Sequence, residues 1–156
     1  MSSLLSASPD FLVAHAALTF TATLGMGALC LLMPRSRLWF YILLALWLPG
    51  TVLALWLPSL LFTPTLMPRE PIPSLVSIIQ GFLLCPTFTL PVLGTLLDAP
   101  SELARTAFEL GAGRTRRVTL LWLPLLRGGL ALGMSASVAL SILMAFALAW
   151  RLQPAL

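Results

Sequence analysis

Few residues in this chain can do chemistry, and most of them stand alone. His15 is the single histidine, and Asp10 lies five residues before it, at the edge of the same apolar run. An ionisable group in such a run is a candidate for carrying a proton or touching a substrate; near the end of the run it can also serve packing alone. Gln80, Thr87 and Thr89 interrupt another apolar run, which also holds Pro86 and Pro91. Amide and hydroxyl groups beside proline bends can line a substrate pathway through a membrane. They can equally hydrogen-bond one helix to the next. Cys30 and Cys85 both fall inside apolar runs and read as small hydrophobes, not as a disulfide framework. The sequence offers no paired carboxylates, histidine cluster or Ser/His/Asp set, and no Gly-rich phosphate loop. No catalytic residue, metal site or cofactor of its own is therefore expected, and the chain is not expected to be an enzyme.

The elements that must position these residues follow from the solvent. The chain has 156 residues, of which 59% are hydrophobic and only 9% charged, and its mean hydropathy is +1.00. A soluble domain carries about 25% charged residues, and a core of this size cannot hide so much apolar surface from water. Lipid is the expected solvent. A spanning helix needs about 20 apolar residues, and such runs occupy 11–33, 38–62, 73–97 and 128–150. The expected fold is all-α: one polytopic transmembrane domain over 1–156 with about four spans and a helical loop at 98–127. Pro49, Gly50 and Pro58 leave the second run open to two forms, a kinked span or a helix with a re-entrant piece.

Charge sets the orientation. All nine basic residues are Arg, against five acids, for a net charge of +4. In a soluble protein that balance suggests nucleic acid. Here the Arg lie between apolar runs, where they determine topology, and no nucleic-acid partner is expected. With the N-terminus outside, the inner loops hold seven Arg, and only Arg69 and Arg151 lie outside. Both termini are thus expected to be extracytoplasmic and 98–127 cytoplasmic. The five Trp lie mostly near span ends or in the second span, as an interfacial aromatic belt would place them.

The polar stretch 98–127 has its own pattern. Pro100, Ser101 and Glu102 form a helix start. Leu103, Ala107 and Leu110 then recur at spacings of four and three, and Gly111 and Gly113 end the helix. Arg114, Arg116 and Arg117 open a second helix at headgroup level, which climbs back into lipid with Pro124 bending its upper end.

This stretch resembles the EAA loop of the inner-membrane permeases of binding-protein-dependent ABC importers. That motif reads Glu-Ala-Ala, three residues, Gly, nine residues, Ile, one residue, Leu-Pro. Gly111 takes the Gly, Leu121 the Ile, and Leu123 and Pro124 the Leu-Pro; Leu110, Gly111 and Ala112 match the common Leu-Gly-Ala. Pro100, Glu102 and Leu103 match an upstream Pro-x-Glu-Leu, and Pro86 a proline frequent in the preceding span. Arg105, Thr106 and Ala107 stand where the family has Glu-Ala-Ala, so a basic residue replaces the acidic one. Family permeases usually continue with at least one more span, so the resemblance implies a reduced or half-size member, or one part of a split permease.

The resemblance implies a permease subunit in a bacterial-type inner (cell) membrane that forms the substrate pathway. Its partners would be ABC ATPase subunits, a second permease copy (a homo- or heterodimer) and an extracytoplasmic substrate-binding protein. ATP and Mg would sit on the ATPase, and the loop around Gly111 would be the coupling helix docked on it. The alternative is a permease-derived membrane subunit that scaffolds or regulates a larger complex.

In the fourth run, Gly129, Gly133, Ser137, Ser141, Ala145 and Ala149 recur every four residues. Such a ladder of small residues lets another helix approach closely, from this chain or from a second copy.

The Arg asymmetry gives a test of orientation. Cysteines placed at Leu66 and Ala112 should label from opposite sides of the membrane, with the Ala112→Cys site reached only from the cytoplasm. Equal labelling of both from outside would contradict the arrangement.

Overall fold

The computed structural model describes residues 9–33, 36–61, 73–100, 102, 105, 109 and 113–152. Helix α1 is Pro9–Leu31, α2 Arg37–Leu61 and α3 Pro73–Leu97. A short helix α4, Arg114–Arg117, runs through a π-helical turn at Val118–Trp122 into α5, Leu123–Leu152. No strand occurs among the described residues. Four stretches are long and apolar enough to cross a membrane: Asp10–Leu31, Arg37–Leu60, Ser74–Leu97 and Thr115–Trp150. The protein is an all-α, multi-pass membrane protein.

Helix α3 is the hub. Of its apolar window 67% is buried, against 22% for α1, 11% for α2 and 28% for the last stretch. Contacts between α1 and α3 rise together along the chain, from His15 with Ser77 to Gly27 with Phe88, so these two helices run parallel. Contacts of α3 with α2 and α5 run in opposite order, Gly50 with Leu83 and Gly129 with Pro91, so both are antiparallel to it. This is the alternation that consecutive spans require.

Lipid supplies no hydrogen bonds, so the helices must satisfy their own polar groups. Thr19, Thr21 and Thr23 in α1 donate to the carbonyls of His15, Ala17 and Thr19. Thr51 in α2 and Ser135 in α5 donate to Leu48 and Leu132 in the same way. A hydroxyl bonded back to its own helix can face lipid at little cost. At the start of α2, the Ser36 hydroxyl accepts the Trp39 backbone N–H at 3.1 Å, an N-cap.

The second run is one helix, with Pro49 and Pro58 inside it and no re-entrant piece. Each proline removes a donor that would have bonded the carbonyl four residues back. The helix survives because α3 packs against it. A Cβ on Gly50 would lie 3.0 Å from the Leu83 carbonyl oxygen, so the two backbones nearly touch there.

The fourth run differs from its expected form. The run at 128–150 is the upper part of a longer helical path that begins at Arg114, with no break between the climbing segment and the span. The π turn lies where Pro124 removes a donor: the Leu123 N–H reaches back five residues to the Val118 carbonyl. A widened turn is a common accommodation of such a gap. The apolar stretch Thr115–Trp150 has 36 residues. At about 1.5 Å per residue that is about 54 Å, far more than the roughly 30 Å of a hydrocarbon core. A span over 128–150 leaves Thr115–Arg127 beyond it by about 20 Å. Val118, Leu120 and Leu123 are exposed on that overhang.

Small residues set the helix spacing on α3. A Cβ on Gly81 would lie 2.5 Å from the Ala22 Cβ and 2.8 Å from the Thr19 carbonyl oxygen, closing α1 onto α3. On α5, a Cβ at Gly129 would lie 2.7 Å from the Pro91 carbonyl oxygen, and one at Gly133 2.9 Å from that of Phe88. Ser137, Ser141, Ala145 and Ala149 are buried along the same face. The hydroxyls of Ser137 and Ser141 bond nothing among the described residues, so small size is what serine contributes there. The lower ladder packs within this chain, against α3.

Gly133→Leu should therefore lower the stability of the detergent-solubilised monomer by about 1–3 kcal/mol, the range for overpacking. Gly128, whose Cβ would meet nothing within 4 Å, is the control. Gly128→Leu should leave unfolding in a denaturing-detergent titration unchanged, and equal effects at the two positions would contradict the packing.

Candidate functional site

Three polar residues, His15, Ser77 and Gln80, meet at one point of the bundle, about 10 Å along α3 from its first residue. Gln80 is fully buried there. Its Nε2 donates to the Ala54 carbonyl of α2 at 2.9 Å. That carbonyl lies four residues before Pro58, so it is the one Pro58 leaves without a helix donor. The Gln80 amide replaces the missing N–H. With its nitrogen committed to α2, Gln80 turns Oε1 toward α1, 2.9 Å from His15 Nε2.

This fixes the histidine. Oε1 can only accept, so Nε2 of His15 carries the hydrogen, and in the neutral imidazole Nδ1 is then the acceptor. The Ser77 hydroxyl, one helical turn before Gln80, donates to Nδ1 at 2.6 Å. The ring also stacks on Phe11, with centroids 6.3 Å apart. Met144 of α5 closes the group, its Sδ 3.9 Å from Gln80 Nε2. Residues from all four long helices meet around one amide. Both imidazole nitrogens are used within the chain, so His15 acts here as a tie between α1 and α3.

The other residues read as candidates for a substrate pathway are also engaged internally. Thr87 accepts a hydrogen bond from Trp47 Nε1 at 3.0 Å, joining α3 to α2. Thr89 is fully buried and donates to the Cys85 carbonyl at 2.9 Å. Gln80, Thr87 and Thr89 are thus buried within a single chain. Trp47 points inward, unlike a belt residue, whereas Trp56 and Trp150 are exposed. Cys30 and Cys85 are both free, with their sulfurs 4.0 Å apart across the α1–α3 contact.

Among the cavities lined by described residues, three flank this core. One of about 290 Å3 between α1 and α5 is walled by apolar residues such as Leu12 and Phe146. A second of about 130 Å3 lies beside His15 and Ser77. The third, about 190 Å3, sits between the start of α2 and the end of α3 and holds Arg37 and Asp98. Among the described residues no group of three or more His, Cys, Asp or Glu could hold a metal ion.

The loop is only partly described. Leu103, Thr106, Ala107, Leu110, Gly111 and Ala112 lie outside the described residues. Glu102, Arg105 and Glu109 are helical and exposed. Arg105 Nε bonds Glu109 Oε1 at 3.0 Å, an i,i+4 pair on the open surface. The residue at the motif's Glu position thus pairs with an acidic residue four positions on, at the open surface. Leu121 lies in the π turn, and Leu123 and Pro124 open α5; Leu123 and Pro124 are exposed. Comparison with family models, curated proteins and solved structures returned no match.

Sequence reasoning missed Ser77, Ala54 and Trp47. Ala54 had a signal: a proline inside a span always frees the carbonyl four residues earlier. Ser77 and Trp47 had none, because their roles depend on which helices are neighbours. Their geometry makes a testable claim. A double-mutant cycle of His15→Leu and Ser77→Ala should show a coupling of about 0.5–2 kcal/mol, read as unfolding free energy in detergent. Additive effects would mean that the two side chains are not bonded.

Proposed function

We propose that this chain is a permease subunit of an ABC-type importer, coupled to a separate ATPase through the loop around Gly111. The observation that carries the reading is the spacing of Gly111, Leu121, Leu123 and Pro124, running into the apolar stretch Thr115–Trp150. What supports it further is the long helix. It carries this motif's Leu-Pro on an exposed segment continuous with the span, so a push on the loop travels along one rigid element. In this reading ATP and Mg sit on the ATPase, the Arg-rich face is cytoplasmic, and both termini are extracytoplasmic. The substrate pathway forms where this chain meets a second permease subunit, since Gln80, Thr87 and Thr89 are enclosed within one chain. A substrate-binding protein delivers from outside.

The Arg105–Glu109 pair favours a second reading, a permease-derived subunit that scaffolds or regulates. A basic residue at the motif's acidic position, paired with Glu109, removes the charge that an ATPase surface would meet.

Substitution at Gly111 separates the two. A side chain at a left-handed turn costs about 1 kcal/mol or more. Gly111→Val should leave membrane insertion intact while abolishing uptake and substrate-stimulated ATP hydrolysis in vesicles carrying the full complex. Wild-type uptake and stimulation in the Val variant would remove Gly111 as the coupling turn. Failure of any ATPase to copurify with the wild-type chain would favour the scaffolding reading.

A further inference from the structure

The cavity at the Arg-rich face of the bundle is built differently from the other two. Its wall is Arg37, Phe40, Tyr41, Gly94, Leu97 and Asp98, so it holds one cation and one anion. Arg37 is the first residue of α2, and Asp98 follows the last residue of α3, with its N–H still bonded to the Gly94 carbonyl at 3.0 Å. Both charges are exposed, and among the described residues no ion pair joins them although they share one cavity. Two opposite charges on the wall of one cavity at the end of a span match a ligand that carries both signs.

The rest of the cavity says where that ligand comes from. Phe40 and Leu97 also pack on the cluster of Leu43, Leu90 and Leu93, so the floor is apolar. Tyr41, Leu44 and Leu48, at spacings of three and four, are 60%, 43% and 65% exposed on the helix that the bundle buries least. An apolar stripe therefore leads from the charged cavity down the lipid-facing side of α2. A soluble zwitterion has no use for that stripe, whereas acyl chains do.

We propose that this cavity binds the headgroup of an amine-bearing phospholipid, with Arg37 on the phosphate and Asp98 on the ammonium, phosphatidylethanolamine being the simplest case. The guanidinium matches phosphate oxygens with paired donors. The primary ammonium gives Asp98 charge-assisted hydrogen bonds that a quaternary choline cannot make. The glycerol of phosphatidylglycerol is neutral, so that headgroup would leave Asp98 without a cation to pair with. Gly94 keeps the cavity open: a Cβ there would meet only Phe40 Cε2, at 3.7 Å, so a larger side chain enters the cavity without straining the backbone.

The test is native mass spectrometry of the full chain titrated with phosphatidylethanolamine, phosphatidylcholine and phosphatidylglycerol of identical acyl chains. The wild type should retain the ethanolamine lipid best. Asp98→Asn should lower that retention about fivefold. Asp98→Arg should shift the preference to phosphatidylglycerol, and Gly94→Leu should reduce retention of all three. Soluble glycerophosphoethanolamine should not compete, because it lacks the chains. Equal retention of the ethanolamine and choline lipids by the wild type, or an unchanged preference in Asp98→Asn, would overturn the assignment. Competition by glycerophosphoethanolamine at the lipid's own concentration would show a soluble zwitterion site in place of a lipid one.

Discussion

The bundle depends on one missing hydrogen. Pro58 has no N–H, so the Ala54 carbonyl inside α2 lacks its helix donor. In water a solvent molecule would fill that place; in hydrocarbon nothing does, and an unsatisfied carbonyl costs several kcal/mol. Gln80 of α3 provides the donor. Having done so, its amide oxygen points the other way and receives His15 of α1. The orientation of one amide thereby fixes the tautomer of the histidine, and the tautomer in turn determines that Ser77 donates to it. A gap in one helix becomes the tie between three.

That tie explains why α3 and not a peripheral span is the hub. It must reach α2 and α1 at the same level, and α5 then closes over it through Met144 and the small-residue face of Gly129 and Gly133. Close approach matters because lipid offers no hydrophobic drive for helices to associate; contact area and hydrogen bonds hold them together. At the other end of the molecule the logic is reversed. The segment from Arg114 to Leu126 has helical backbone satisfaction but packs little on the other spans, and it exceeds what a bilayer needs. A stable core of four helices thus carries a stiff extension on its Arg-rich face. The proposed coupling role and the proposed lipid site both lie on that face, the first on the extension and the second at the ends of α2 and α3.

How much of this was legible in the sequence follows from what each feature depends on. The limits of α1, α2 and α3 lie within two residues of the apolar runs at 11–33, 38–62 and 73–97. In lipid, hydropathy and length alone decide such helices. The fourth run and the helix climbing toward it from Arg114 were both legible; that they form one unbroken path was not, because Pro124 read as a bend and the π turn that absorbs its lost bond has no signal in the residue pattern. Gln80, His15 and the ladder of Gly129, Gly133, Ser137 and Ser141 stood out as polar or small residues in apolar runs. Their partners did not, because no local pattern tells which span neighbours which. The ambiguity of α2 has the same origin: whether Pro58 breaks a helix depends on a donor that only the neighbouring α3 can bring.

The bundle therefore rests on Gln80 standing in for the N–H that Pro58 lacks. The direct measurement is a double-mutant cycle between Gln80→Leu and Pro58→Ala, followed by unfolding in a detergent titration. Gln80→Leu alone should destabilise the chain by about 1–3 kcal/mol, as the Ala54 carbonyl and the His15 N–H lose their partner. Adding Pro58→Ala restores a backbone N–H to that carbonyl and should recover about 1 kcal/mol of the loss. If Pro58→Ala has the same effect in the Gln80→Leu background as in the wild type, the carbonyl was never what Gln80 served, and the central claim fails.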